Sequence, residues 1–161
     1  LNQITADTDE LTSLLKAHNR PYPHLHEGRF LAPQPGVQAA IDTSDGLSSD
    51  LGHIAEESKV GARLYADKIP ISPSLKNFCD RFDFDPVDYA LSGGEDYTLL
   101  CTIAPDRAED IAHDFEKKFM RPLFAIGEIT AGQKLTLIYP DGKTKSITPT
   151  GWDHFKAKEN E

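Results

Sequence analysis

The feature that most limits what this chain can fold into is a short apolar run, residues 37–41, that passes directly into Asp42-Thr43-Ser44-Asp45-Gly46. An apolar run of that length, bounded by turn residues, reads as a buried strand. After the turn, Leu47, Leu51, Ile54 and Ala55 recur at helical spacing, so residues 46–57 read as an amphipathic helix. Asp50, Glu56 and Glu57 fall elsewhere on that helical wheel. A strand, a tight acidic corner and a helix in direct succession call for a mixed α and β architecture.

The rest of the chain extends that pattern. Asp7 with Glu10 three residues later has the spacing of a capping box, and Leu11, Leu14, Leu15 and His18 share one stripe, so a helix is expected over 8–18. Pro21 and Pro23 stop it, and residues 19–36 read as an extended loop. His24 and His26 form an HxH pair without further partners, the pattern of solvated surface. Beyond Gly61, ARLYAD alternates like a strand, a short helix is expected around 73–80, and Pro86 stands near the start of another helix in DPVDYAL. SGGED interrupts that helix, and residues 97–103 read as a second buried strand. Residues 106–119 place acids early and Lys117 and Lys118 late, as a helix macrodipole favours. FAIGEIT and KLTLIYP read as strands, Asp141-Gly142 as a hairpin turn and KSITP as its return strand. GWDHF closes the ordered chain and KAKENE reads as a loose tail. The sum is three or four helices and five or six strands in one α+β (mixed α/β) domain over residues 1–161: a lead-in helix in 1–20, a core over 21–155 and a tail over 156–161.

Composition removes several classes of function. The net charge is −9, and no basic face appears that could neutralise a phosphate backbone, which argues against nucleic-acid binding. No run approaches the ~20 apolar residues that a membrane-spanning helix needs, and the polar start is no signal peptide. Two cysteines, Cys79 and Cys101, form neither a disulfide framework nor a CxxC pair and fit buried thiols in a reducing cytoplasm. The chain begins with Leu1, as if in mid-protein, which leads us to expect a fragment.

Three segments could carry chemistry. At the Asp42–Gly46 corner, two carboxylates lie within four residues, and a helix N-terminus there favours phosphate. Two such carboxylates can hold Mg²⁺, and the metal can bridge to phosphate oxygens. Ser44 and Asp45 could equally be plain caps of the helix. In Ser92-Gly93-Gly94-Glu95-Asp96-Tyr97, two glycines precede an acidic pair that could accept hydrogen bonds from an amino-bearing or cationic ligand, or that could be solvated acids of an ordinary turn. Trp152, the only tryptophan, could stack on a planar or cationic ring or dock the tail onto the core. His154 reads as structural. No Walker A loop, GxGxxG, zinc spacing or Ser-His-Asp arrangement is present.

In this order, AAIDTSDGLSSDLGHIAEES, YALSGGEDYTLL, IGEIT and a terminal GWDHF resemble the carboxy-terminal half of the thiamine-monophosphate kinase family, across residues 21–155. DxSDGLxxDL alone points to the wider superfamily shared with aminoimidazole ribonucleotide synthetase and selenophosphate synthetase; SGGEDY together with GWDHF is specific to the kinase branch. The resemblance implies the carboxy-terminal domain of the aminoimidazole ribonucleotide synthetase-like fold, a mixed sheet packed with helices. It also implies a two-domain enzyme that transfers the γ-phosphoryl group of ATP to thiamine monophosphate, with several Mg²⁺ ions. The amino-terminal domain, which binds most of the metal and nucleotide and forms a homodimer, is absent from this sequence. Within this sequence the resemblance implies Asp42 and Asp45 as Mg²⁺ ligands, Ser44 as a nucleotide contact, and Glu95 and Trp152 as thiamine contacts. Thr98 stands where the family often has glutamate, which affects only a peripheral contact.

That chemistry agrees with the residues. Two highly anionic partners must be brought into line, so catalysis is mostly positioning and charge neutralisation, and no catalytic base is expected. Glu95 supplies an acceptor for an aminopyrimidine and Trp152 a π-face for a cationic thiazolium. The alternatives are a non-enzymatic module that binds a phosphorylated ligand and a related ATP-dependent synthetase.

Overall fold

The structure, a computed structural model, describes residues 8–148. The corner that constrains the sequence organises the fold. Strand β1 (Val37–Asp42) delivers it and helix α3 (Leu47–Ser58) leaves it. β1 pairs antiparallel with β3 (Leu99–Ile103), with Ala40 opposite Cys101 and Asp42 opposite Leu99. A second, four-stranded sheet has the order β4-β2-β5-β6. Its strands are β2 (Gly61–Tyr65), β4 (Gly127–Thr130), β5 (Leu135–Ile138) and β6 (Thr144–Ser146). β2 pairs antiparallel with β4 and parallel with β5, and β5 pairs antiparallel with β6, so the sheet is mixed as expected.

Two apolar cores follow from this layout. In the larger, Leu51 and Ala55 of α3 meet Ala62 and Leu64 of β2 and Leu135 and Leu137 of β5; Leu137 is 0% exposed. The alternation of buried and half-exposed residues along β5 puts one strand face into this core. The smaller core gathers Leu31, Ile111 and Phe115, with Val37, Leu99, Cys101 and Ile103 packed against them. Cys79 is buried, Cys101 half-buried, and burial pushes both thiols up from their ordinary pKa.

The helices are α1 (Thr8–Asn19), α2 (Leu25–Leu31), α3, α4 (Pro73–Phe82), α5 (Pro86–Ser92) and α6 (Ala108–Phe119), six in the described residues rather than three or four. α4 and α5 begin as their sequences suggest, with proline in the first turn behind Ser72 and Asp85, whose side chains accept from Leu75 N–H and Val87 N–H. The largest departure from expectation is α2, inside the stretch read as loop. LHEGRFL has weak intrinsic helicity, with Gly28 at its centre, but its neighbours override that. Phe30 packs edge-on against Phe115 and Phe119 of α6, with centroids 5.9 and 5.6 Å away, and Leu31 is buried. Asp7, the expected cap of α1, and the whole GWDHF and KAKENE tail, including Trp152 and His154, lie outside the described residues.

Candidate functional site

The two loop motifs, fifty residues apart in sequence, are laced together in space. Beyond the last β1–β3 pair, Thr43 N–H donates to the Thr98 carbonyl at 2.8 Å and Tyr97 N–H to the Thr43 carbonyl at 2.9 Å. Glu95 N–H donates to the Ser44 carbonyl at 2.8 Å, and the Thr43 hydroxyl adds a 3.1 Å bond to Thr98. This lacing needs unusual backbone. Glu95 and Tyr97 have φ of 66° and 51°, the left-handed region that non-glycine residues enter at a cost of ~1 kcal/mol or more. Gly94 has no alternative: a Cβ there would lie 2.7 Å from the Ser44 carbonyl oxygen.

The corner does not behave as a plain helix cap. Gly46 is the N-cap of α3, at φ 110°, and no side chain caps the helix, so neither Ser44 nor Asp45 does that work. Asp45 N–H instead donates to Asp50 Oδ2 at 3.2 Å. Asp50 is 2% exposed, a correction to its expected place on the polar face of the helix. Burial is the main influence raising the Asp50 carboxyl above its ordinary pKa. The Asp45 amide opposes that, the Asp45 charge adds to it, His53 opposes and Asp42 adds.

Ligand-capable atoms of Asp45, Asp50 and His53 all lie within 4.8 Å of one another. Asp42 is not in that group; it is exposed at the end of β1 and lines an open groove of about 510 Å³ with His24, Leu25, Arg29, Tyr97 and Leu99. Among the described residues, no lysine or arginine pairs with Asp42, Asp45 or Asp50. Burying a carboxylate without a cationic partner is expensive. Oxygen donors with one imidazole suit a divalent cation, which would supply the missing positive charge.

The remaining site residues are placed as follows. Ser44 is half-buried in the corner. The Glu95 carboxylate is exposed, with its Oε2 3.9 Å from His18 Nε2 at the end of α1. Burial raises the neighbouring Asp96 carboxyl, and His18 lowers it. His24 is not solvated surface: Arg121 donates to its Nδ1 at 2.9 Å, so the ring is neutral there with its proton on Nε2. Arg121 also pairs with the buried Glu27. Burial, then the Arg121 charge, lowers the His24 pKa, and Glu27 opposes them. Sequence reasoning missed Asp50, His53 and this groove wall. The spacing of Asp50 and His53, one helical turn apart behind Asp45, was the available signal.

Comparison with known proteins gives the family and the fold. Residues 2–140 match the family model described as AIR synthase related protein, C-terminal domain. The chain is 39% identical to a thiamine-monophosphate kinase of Haemophilus influenzae over 99% of its own length and 48% of that protein's. It is similar to the crystal structure of thiamine-monophosphate kinase from Stenotrophomonas maltophilia, with TM-score 0.73 and 39% identity over 89% of this chain and 43% of that one. It is also similar to AaThiL complexed with AMPPCP and TMP, with TM-score 0.73 and 29% identity over 95% of this chain and 44% of that one. The chain thus spans about half the length of the curated relatives it matches. No helix among the described residues is long and apolar enough to cross a membrane.

Proposed function

Because the chain belongs to the AIR synthase related protein, C-terminal domain family, we propose that it is the carboxy-terminal half of a thiamine-monophosphate kinase. The reaction makes a bond between a phosphate oxygen of thiamine monophosphate and the γ-phosphorus of ATP. The bond from that phosphorus to the β,γ-bridging oxygen breaks, and its electron pair leaves with ADP. The attacking oxygen is already ionised near neutral pH, so no side chain has to remove a proton.

The observation that supports this reading is the lacing of the DTSDG and SGGEDY loops, which joins the backbone of Thr43 and Ser44 to that of Glu95, Tyr97 and Thr98. Asp42 and Asp45, with the His53 imidazole nearby, would hold Mg²⁺, which would neutralise charge between the two phosphorylated substrates. Ser44 contacts the nucleotide at the mouth of the corner. Glu95 holds the aminopyrimidine of thiamine as hydrogen-bond acceptor, and Trp152 completes the substrate site. The amino-terminal half supplies the remaining metal ligands and the homodimer contact, and the enzyme works in the cytoplasm.

The test is formation of thiamine diphosphate from ATP and thiamine monophosphate. The complete two-domain protein turns over and the 161-residue chain by itself does not; a complete protein without this activity would refute the reading. In that protein, Glu95→Gln raises KM for thiamine monophosphate and leaves KM for ATP unchanged.

A further inference from the structure

We infer that Asp50 is the positioning residue of the corner: it holds the main chain of Asp45 so that the Asp45 carboxylate faces the cation. This rests on the reading above that Asp45 holds a divalent cation. The Ser44–Asp45 peptide unit is held on its carbonyl side by Glu95 N–H, and its amide side is left to Asp50. Its helix begins at a glycine with φ 110° and lacks a side-chain cap, so the first turn of α3 gives the corner no anchor from Ser44 or Asp45. The Ser49 and Asp50 amides both donate to the Gly46 carbonyl at 3.0 Å, which holds the helix side of the turn and not the strand side. The bond that crosses back over Gly46 is the one from Asp45 N–H to Asp50 Oδ2, at 3.2 Å.

Burial gives that bond its effect. Asp50 is 2% exposed and packs inside the first turns of α3, beside the buried Leu51. A side chain enclosed in this way cannot follow a moving loop, so the loop is held to it. A neutral serine or asparagine would meet the needs of a helix start. A carboxylate buried beside Asp45 and Asp42, with His53 one turn away, is explained when the acceptor also faces a site meant for positive charge. Asp50 therefore acts through Asp45, as an outer partner that orients a ligand.

The test compares Asp50→Asn, which retains an acceptor oxygen, with Asp50→Ala, which does not. Amide exchange by NMR reads the tether directly, and Mn²⁺ titration of the same chain reads its consequence. In the wild type, the Asp45 amide exchanges at least about tenfold more slowly than an unbonded loop amide. That protection persists in Asp50→Asn and disappears in Asp50→Ala, while amides of β2 and β5 keep theirs. Mn²⁺ affinity falls at least about tenfold further in Asp50→Ala than in Asp50→Asn. A wild-type Asp45 amide that exchanges freely overturns the proposal, even if Asp50→Ala does not fold. Equal Mn²⁺ affinities for the two variants, both below wild type, also overturn it, because charge and not the tether would then matter. A wild-type chain that binds no Mn²⁺ counts against the cation reading of the site, and amide exchange still decides the tether.

Discussion

The four-stranded sheet and the β1–β3 corner are two ways of using one chain. Around Leu137 the sheet buries aliphatic side chains from α3, β2 and β5, and regular strand pairing satisfies its polar backbone. At the corner the buried groups include Thr43, Ser48, Ser49 and Asp50, the backbone includes two non-glycine residues at positive φ, and the carboxylates of Asp42, Asp45 and Asp50 repel one another. The first region gains stability from apolar area, at roughly 25 cal/mol per Å² removed from water. The second uses some of that stability to hold acidic groups in a geometry they would not adopt alone. The sheet is therefore the platform, and the corner is the part where, on the proposed function, a cation would offset the acidic groups.

Substitutions should separate the two regions. The largest effect expected is on activity: Asp42→Asn in the complete protein lowers kcat/KM for phosphoryl transfer at least about a hundredfold, while the melting temperature stays within a few degrees. A steady-state assay across Mg²⁺ concentrations, with a thermal melt beside it, checks this. Leu137→Ala does the reverse. It costs about 2–5 kcal/mol of unfolding free energy, read from urea denaturation, and leaves Mn²⁺ affinity intact wherever the protein is still folded. Gly94→Ala strikes the junction. Its methyl group collides with the Ser44 carbonyl, so the loops part, phosphoryl transfer falls, and stability drops by about 1–3 kcal/mol. Retention of full activity by that variant would show that the lacing is not needed.

The smallest effect is a pH dependence in neither region. His24 has its pKa lowered below the ordinary 6.5, so the folded state favours the neutral ring. As pH falls below about 6.5 the unfolded chain takes up this proton first, and stability declines until the folded ring is also protonated. Replacing His24 with glutamine removes that part of the decline, which denaturation at pH 7 and pH 5.5 would measure. The raised carboxyls of Asp50 and Asp96 act in the opposite sense, at lower pH: the stability they withhold when ionised returns as they are protonated.

How much of this was legible in the sequence depended on how local the cause was. Residues 37–41 and the Leu47, Leu51, Ile54, Ala55 stripe are local patterns, and strand and helix formed within a residue or so of the reading. α2 was illegible because what makes LHEGRFL helical is Phe30 against Phe115 and Phe119, 85 and 89 residues further along. His24 was misread for the same reason, since its partner Arg121 lies 97 residues away. Asp50 is a subtler case. Its place in the first turn matched a solvated acid, and nothing within the helix announces that the chain before Gly46 folds back over it. The acidic residues of both loops were visible as candidates, but that the loops touch is a fact of strand pairing between distant segments.

One consequence of that pairing concerns evolution. Three of the four bonds that join the loops run between peptide groups, which every residue except proline carries in full. The side chains of Ser44, Glu95 and Asp96 can therefore be exchanged without unpicking the join. A lineage that inherited this scaffold could retarget its specificity by point substitution, keeping the geometry while trading one ligand for another.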